Sequence, residues 1–357
     1  MDHTYHNCIS LENAVCGQNV ISMYATYLNC TNLKNAACGN SVVRMDLAYK
    51  NCTNLTNANC GPMVTTMAQA YRNCSSLLKA VSGPEVRNMS FTYADCYSLQ
   101  EAVCGPRVEV MDYTYQNCYS LTKANCGKIV TDMINTYENC FSLEDAVCGN
   151  LVTNMYYTYY NCKTLKNAAC GDNVVNMYHT YAFCNKLVSA ECGPSVRDMT
   201  ETYRDCESLI TPVCGNEVKF MSSTYYNCSN IDTAVCGPNV TNMYETYSHC
   251  INLHNADCGP SVTTMIKTYY NCFNLTNAAC GQNVKIMDQT YSHCYNLTEA
   301  VCGSNVTEMN GTYFMCQNLQ NAQCGINVIN MTQTYLGCNH LTIAVCGNNV
   351  INMSSAY

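Results

Sequence analysis

An α/β solenoid, with one short parallel β-strand and one short helical segment in each 22-residue coil, is the fold class that this 357-residue sequence predicts. Three observations carry that reading. Cysteines recur at steps of 22 from Cys8 to Cys338 without one insertion. Gly17 to Gly347, Val20 to Val350 and Met23 to Met353 are each filled sixteen times in the same frame, and Tyr5 to Tyr357 seventeen times. A unit of this size cannot bury an apolar face alone, so like coils must stack on like.

The unit reads C-x2-L-x2-A-x-C-G-x2-V-x2-M-x3-Y-x2-C, with Ser82 replacing the second cysteine, Pro212 the alanine and Ile231 the leucine. In "NAVCG", Ala14 and Cys16 alternate with an outward residue, which predicts a very short strand, and Gly17 with the polar pair after it predicts the turn that leaves the strand. From Val20 the fixed apolar residues follow at steps of three, four and three (Val20, Met23, Tyr27, Cys30), which predicts one face of a short helix. Strands one coil apart would pair in parallel at about 4.8 Å, so sixteen coils give a body roughly 75–80 Å long. An unbroken period without a linker predicts a single array over residues 1–357. Neither end carries an atypical polar repeat, so the ends are expected to be covered by flanking domains or by head-to-tail stacking of copies.

The order L-x2-A-x-C-G-x2-V-x2-M-x3-Y-x2-C resembles the BspA-like leucine-rich repeat of bacterial and protist surface proteins, whose pattern is approximately L-x2-I-x-I-P-x2-V-x2-I-x4-F-x2-C. "NVTNMYETYSHC" is also similar to a related bacterial surface repeat and to repeats of bacteriophage tail-fibre proteins. This unit is one residue shorter, and carries Ala and Cys where Ile is usual and Gly where Pro is usual. The resemblance covers the whole chain and implies a leucine-rich-repeat-like solenoid used for adhesion or recognition; the expected setting is extracellular, virion or cell surface, with the cytoplasm as the alternative.

Composition narrows the function classes. Lys and Arg number 17 against 25 Asp and Glu, a net charge of -8, so there is no basic footprint for nucleic acid or anionic lipid. No apolar run approaches a membrane span, and "MDHTYHNC" enters the repeat without a charged-then-apolar leader. The 31 cysteines alternate at spacings of 8 and 14 with no histidine row, which is not a zinc pattern. His249 and His293 share a row but lie two coils apart, about 10 Å, too far to grip one ion. Ser82 leaves an odd cysteine under any pairing scheme, which favours reduced thiols packed as small apolar groups. No nucleophile, base and acid recur together, and no phosphate loop is present, so neither an enzyme nor a cofactor is expected. Sequons at Asn29, Asn51, Asn73, Asn227 and Asn239 follow from the repeat, and glycans on successive coils would crowd one another.

With the invariant rows assigned to the core, Tyr included, recognition falls to the variable rows. The phenol of the core Tyr would need a partner, for which a nearby Thr such as Thr26 or Thr246 is the candidate. Candidate ligand contacts are Tyr97, Tyr119 and Phe141 on successive coils, with Phe273 and Tyr295 as a second pair. Tyr156, Tyr157, Tyr160 and Tyr178 form a further group, with Tyr226, Tyr244 and Tyr270 beyond. The outward strand position is apolar at Val81, Val103, Val147, Val213 and Val235, a line that suggests a covered sheet face, interrupted by Asn59, Asn125, Glu191 and Asp257. The expected function is a non-enzymatic recognition or adhesion solenoid binding a protein or cell-surface glycan. The alternatives are a filament that self-assembles head to tail, and an ice-binding solenoid presenting Thr rows.

Overall fold

The computed structural model describes every residue except Cys126, Ala190, Ala256, Asp257, Ala278 and Ala279; the side chains of Ala58, Ala146, Val147 and Ala168 also lie outside the description. The chain divides into two compact units, Met1–Val174 and Val175–Tyr357. In the first, β1 (Asn13–Val15) pairs with β2 (Asn35–Ala37). There β3 (Asn57–Asn59), β4 (Lys79–Val81), β5 (Glu101–Val103), β6 (Lys123–Asn125), β7 (Asp145–Val147) and β8 (Asn167–Ala168) form a second sheet in chain order. In the second unit β9 (Glu299–Val301), β10 (Asn321–Gln323) and β11 (Ile343–Val345) form a three-stranded sheet. All pairs are parallel, and partners are 22 residues apart, as in Lys79 with Glu101 and Ala80 with Ala102. Outside the sheets a second line of parallel bridges joins coils at the same offset, such as Ser22 to Arg44 and Arg44 to Thr66.

No helix occurs among the described residues, which corrects the helical segment expected from Val20 onward: the coils are those of a β-solenoid. The apolar spacing of three, four and three is produced by linked turns instead. Thr26 N–H bonds the Met23 carbonyl at 3.2 Å and Cys30 N–H bonds the Tyr27 carbonyl at 3.1 Å. Each turn places a left-handed residue at its third position, Ala25 (φ 49°) and Asn29 (φ 63°), the geometry of a type II turn. A left-handed residue every fourth position cannot propagate a right-handed helix. Between the turns the amides are spent on the next coil: Met23, Ala25, Tyr27 and Asn29 N–H reach the carbonyls of Arg44, Asp46, Ala48 and Lys50 at 2.8, 3.0, 2.8 and 2.9 Å. The same set recurs in the second unit, where Met199, Glu201, Tyr203 and Asp205 donate to Phe220, Ser222, Thr224 and Tyr226.

The Met and Tyr carbonyls still have an acceptor site free on the following side, and side chains of the next coil fill it. Thr hydroxyls donate to the Met carbonyl 25 residues back, as Thr92 to Met67 and Thr224 to Met199, both at 2.8 Å. First-row cysteines do the same for the Tyr carbonyl, as Cys74 to Tyr49 and Cys228 to Tyr203 at 3.1 and 3.0 Å. These thiols are therefore hydrogen-bond donors as well as packing groups, and burial pushes them up, Cys250 to about 12. The described cysteines are unbridged. The Thr residues are thus not the partners of the core phenols, as the sequence suggested. Tyr71 and Tyr203 hydroxyls donate instead to the Asn59 and Glu191 carbonyls in the strand segment twelve residues earlier, at 3.1 and 2.8 Å.

The interior consists of like rows. In the first unit the Tyr rings from Tyr5 to Tyr159 stack at 5.2–5.7 Å with interplanar angles of 3–13°. Val42, Met45, Cys52 and Leu55 have no exposed surface. Fully burying an aliphatic side chain of this kind stabilises by about 1.5–3 kcal/mol. Glycine is required at the strand exit by close approach: a Cβ on Gly61 would lie 2.8 Å from the Gly39 carbonyl oxygen and 3.1 Å from Cys38 Sγ. Ser82, in the second cysteine row, accepts the Gly105 N–H at 2.6 Å, a bond that Cys214 Sγ accepts from Gly237 N–H at 3.1 Å.

The second left-handed row adds a side-chain ladder. Asn29, Asn51 and Asn73 Nδ2 each donate to the Oδ1 of the Asn one coil back at 2.7–3.1 Å, so these three sequon amides are already engaged. His249 and His293 take this position in the second unit. Asn271 Nδ2 lies 3.0 Å from His249 Nε2, and Ser248 and Ser292 Oγ lie 2.9 Å from the Nδ1 of His249 and His293. Burial lowers both imidazoles from the ordinary 6.5.

Two predictions follow from these contacts. Gly61→Ala is expected to lower the free energy of unfolding by about 1–3 kcal/mol, read from urea titrations against the parent chain. The lowered histidines let the unfolded chain take up protons first as pH falls through 6.5, so stability is complete well above that value and declines from about pH 7 to about 5.5. Replacing both rings, His249→Asn with His293→Asn, should reduce the fall of the urea midpoint over that range, His179 keeping a part of it; an unchanged slope refutes the assignment.

Candidate recognition surface

The row following the first cysteine sits in the short turn before each strand, so its side chains leave the core. Tyr97 and Tyr119 are 39% and 38% exposed and Phe141 is half-buried. Tyr97 and Tyr119 stack at 5.0 Å and 16°, Tyr119 and Phe141 at 4.8 Å and 6°, and Lys163 Nζ lies 4.9 Å over the Phe141 ring. Phe273 and Tyr295 repeat the arrangement at 5.1 Å. Because each ring covers its neighbour's face, the row shows a ligand mainly ring edges and phenol oxygens. That suits edge-on packing and hydrogen bonding rather than a sugar laid flat on an aromatic face.

The second predicted group is divided between the units. Tyr156, Tyr157 and Tyr160 meet in the first, with centroids at 4.6 Å for Tyr156 and Tyr157 and 5.1 Å for Tyr157 and Tyr160. Tyr178 belongs to the second unit, where its ring meets His179 at 4.4 Å. Further along, Arg204 lies 4.4 Å over Tyr226, and Tyr226, His249, Tyr270 and His293 follow at 5.0, 5.7 and 5.5 Å, while Tyr244 stands exposed. Sequence reasoning weighed these histidines only as metal ligands and missed them as members of an aromatic band. The available signal was their place in the row otherwise filled by Asn, beside the row of Tyr226 and Tyr270.

The sheet face matches the expected apolar line in part. Val81 and Val103 are register partners in β4 and β5, 53% and 55% exposed. Val147 lies outside the described side chains, and Asp257 outside the described residues altogether. Val213 and Val235 are half-buried in coils without a regular strand. There the core phenols turn outward to the backbone: Tyr247 Oη accepts the Val235 N–H at 2.8 Å and donates to its carbonyl at 2.6 Å, and Tyr225 treats Val213 alike. A recess of about 250 Å³ lies over β9 to β11, with Val301, Ile343 and Val345 among its lining.

A polar recess of about 370 Å³, which sequence reasoning missed, adjoins Tyr97 and is lined by Lys50, Asn51, Arg72, Asn73, Asp95 and Tyr97. Its signal was the basic residue two places before the first cysteine on two successive coils, Lys50 and Arg72. Among the described residues no cluster of three His, Cys, Asp or Glu side chains is placed to hold a metal ion, and no helix is long and apolar enough to cross a membrane.

The family description "BspA type Leucine rich repeat region (6 copies)" matches residues 1–100, 85–210, 155–268 and 265–356. Among solved structures, a leucine-rich repeat protein from Bacteroides ovatus ATCC 8483 is similar in fold, with a TM-score of 0.71 at 14% identity over 97% of this chain and 87% of that chain. A leucine-rich repeat protein from Eubacterium ventriosum ATCC 27560 gives a TM-score of 0.49 at 15% identity over 86% of this chain and 84% of that chain. No curated protein sequence matches the chain. With 22-residue coils stacked like on like and the family match spanning nearly every one of them, the chain belongs to the BspA-type leucine-rich repeat family.

Proposed function

We propose that this chain is a non-enzymatic recognition scaffold that binds a protein partner through the variable side chains of its turns, in an extracellular, cell-surface or virion setting. The observation that carries the reading is the partly exposed stack of Tyr97, Tyr119 and Phe141, held outside the core rows. Rigid, amphipathic aromatic side chains supply contact area at low entropic cost and dominate many protein interfaces. Their mutual stacking favours a protein partner over a flat sugar ring. The Thr row that an ice-binding surface would use is buried against Met carbonyls, so that alternative loses its array.

Labelled chain titrated onto intact bacterial and eukaryotic cell surfaces tests this. Protease treatment of the surface should abolish binding, and the triple variant Tyr97→Ala, Tyr119→Ala, Phe141→Ala should bind at least about tenfold more weakly with its unfolding temperature unchanged. Undiminished binding by the triple variant removes this patch; binding that survives protease but not periodate assigns the partner to glycan instead.

A further inference from the structure

The two left-handed rows of the first unit make the same demand on the backbone and answer it with opposite residues. In the row from Asn7 to Asn161, φ is 59–64° and every position is Asn or Asp, the non-glycine residues that accept this conformation most readily. In the row from His3 to Tyr157, φ is 49–58°, yet the residues include Leu47, Gln69, Phe91 and Tyr113, and Asn occurs once, at Asn135. Bulky side chains kept where the backbone resists them are a mark of use beyond folding.

At Gln69 and Phe91 this row meets the polar recess beside Tyr97. Lys50 Nζ donates to Gln69 Oε1 at 2.9 Å and has no carboxylate partner among the described residues. Arg72 lies 5.4 Å over the Phe91 ring, with its Nε 3.3 Å from Asp95 Oδ2, and Phe91 stacks on Tyr113 at 4.4 Å. Asp95 is shared, since Asn117 Nδ2 also donates to it at 2.8 Å. Two cations against one carboxylate leave the recess one positive charge in excess, a match for a single carboxylate. Burial and the neighbouring Arg72 also lower the Lys50 ammonium from its ordinary range, an unfavourable setting that an incoming anion would relieve.

We propose that the recess lined by Lys50, Arg72 and Asn73 receives an acidic side chain of the protein partner, with the Phe91 and Tyr113 stack as the adjoining contact. This rests on the protein-binding reading above and fixes where and by what chemistry the partner is read. The probe is a fluorescent glutamate-rich peptide, with its glutamine counterpart as control, titrated against the full chain.

The glutamate peptide should bind at least tenfold more tightly than the glutamine peptide. Lys50→Gln should weaken it about tenfold and Lys128→Gln, an exposed cation elsewhere, should not. The double variant Phe91→Asn, Tyr113→Asn places a residue suited to positive φ at both sites, so its unfolding temperature should hold or rise while peptide affinity falls severalfold. Equal binding of the two peptides, equal effects of the two lysine variants, or a destabilised double variant with unaltered affinity would each overturn the proposal. If that happens while the Tyr97, Tyr119 and Phe141 variant still loses cell-surface binding, the recess falls and the recognition function stands.

Discussion

Everything in these coils depends on where alternate backbone amides are spent. At Met23, Ala25, Tyr27 and Asn29 the N–H groups bond forward to the next coil, while Thr26, Leu28 and Cys30 N–H close turns within their own coil. A buried amide must find a partner, so this division fixes the 22-residue repeat as strictly as the sheet does. One inserted residue would exchange the two sets and turn Met, Tyr and Cys away from their rows.

The invariant side chains complete that scheme rather than merely filling space. Met and Tyr carbonyls receive a turn amide from their own coil and a Thr hydroxyl or Cys thiol from the next. This explains why a small thiol recurs where an aliphatic residue of the same size would pack as well. A Val there would leave the Tyr carbonyl with one acceptor site empty in a dry interior, at a cost of about 1 kcal/mol. Where Ala48 and Ala70 replace Thr, the Met carbonyl keeps only its turn amide, and these coils tolerate that.

Much of the architecture was legible in the sequence. The period gave the stacking and the parallel register, and the invariant rows gave the core, because identical spacing leaves no other way to bury them. That the segment after Val20 forms turns rather than a helix was not legible, for a definite reason: steps of three, four and three suit an α-helical face and a chain of type II turns equally well. The discriminating residue was the Asn or Asp before eleven of the sixteen first cysteines, which marks a left-handed turn, while its companion row hides the same geometry under Leu47, Phe91 and Tyr113. The stacked row of Tyr97, Tyr119 and Phe141 was readable from spacing alone. The Lys50 and Arg72 recess was not, since it is made by side chains from successive coils and takes its character from a missing counter-charge.

The forward-pointing amides also give each coil two unlike faces. One offers the N–H groups of Met, Tyr and their neighbours together with bare Met and Tyr carbonyls; the other offers the alternate carbonyls together with Thr hydroxyls and thiols. Two faces of the same kind would set donor against donor. Growth by adding repeats is therefore vectorial, accepting a new coil in only one orientation, in the way that a threaded screw accepts a nut of only one hand.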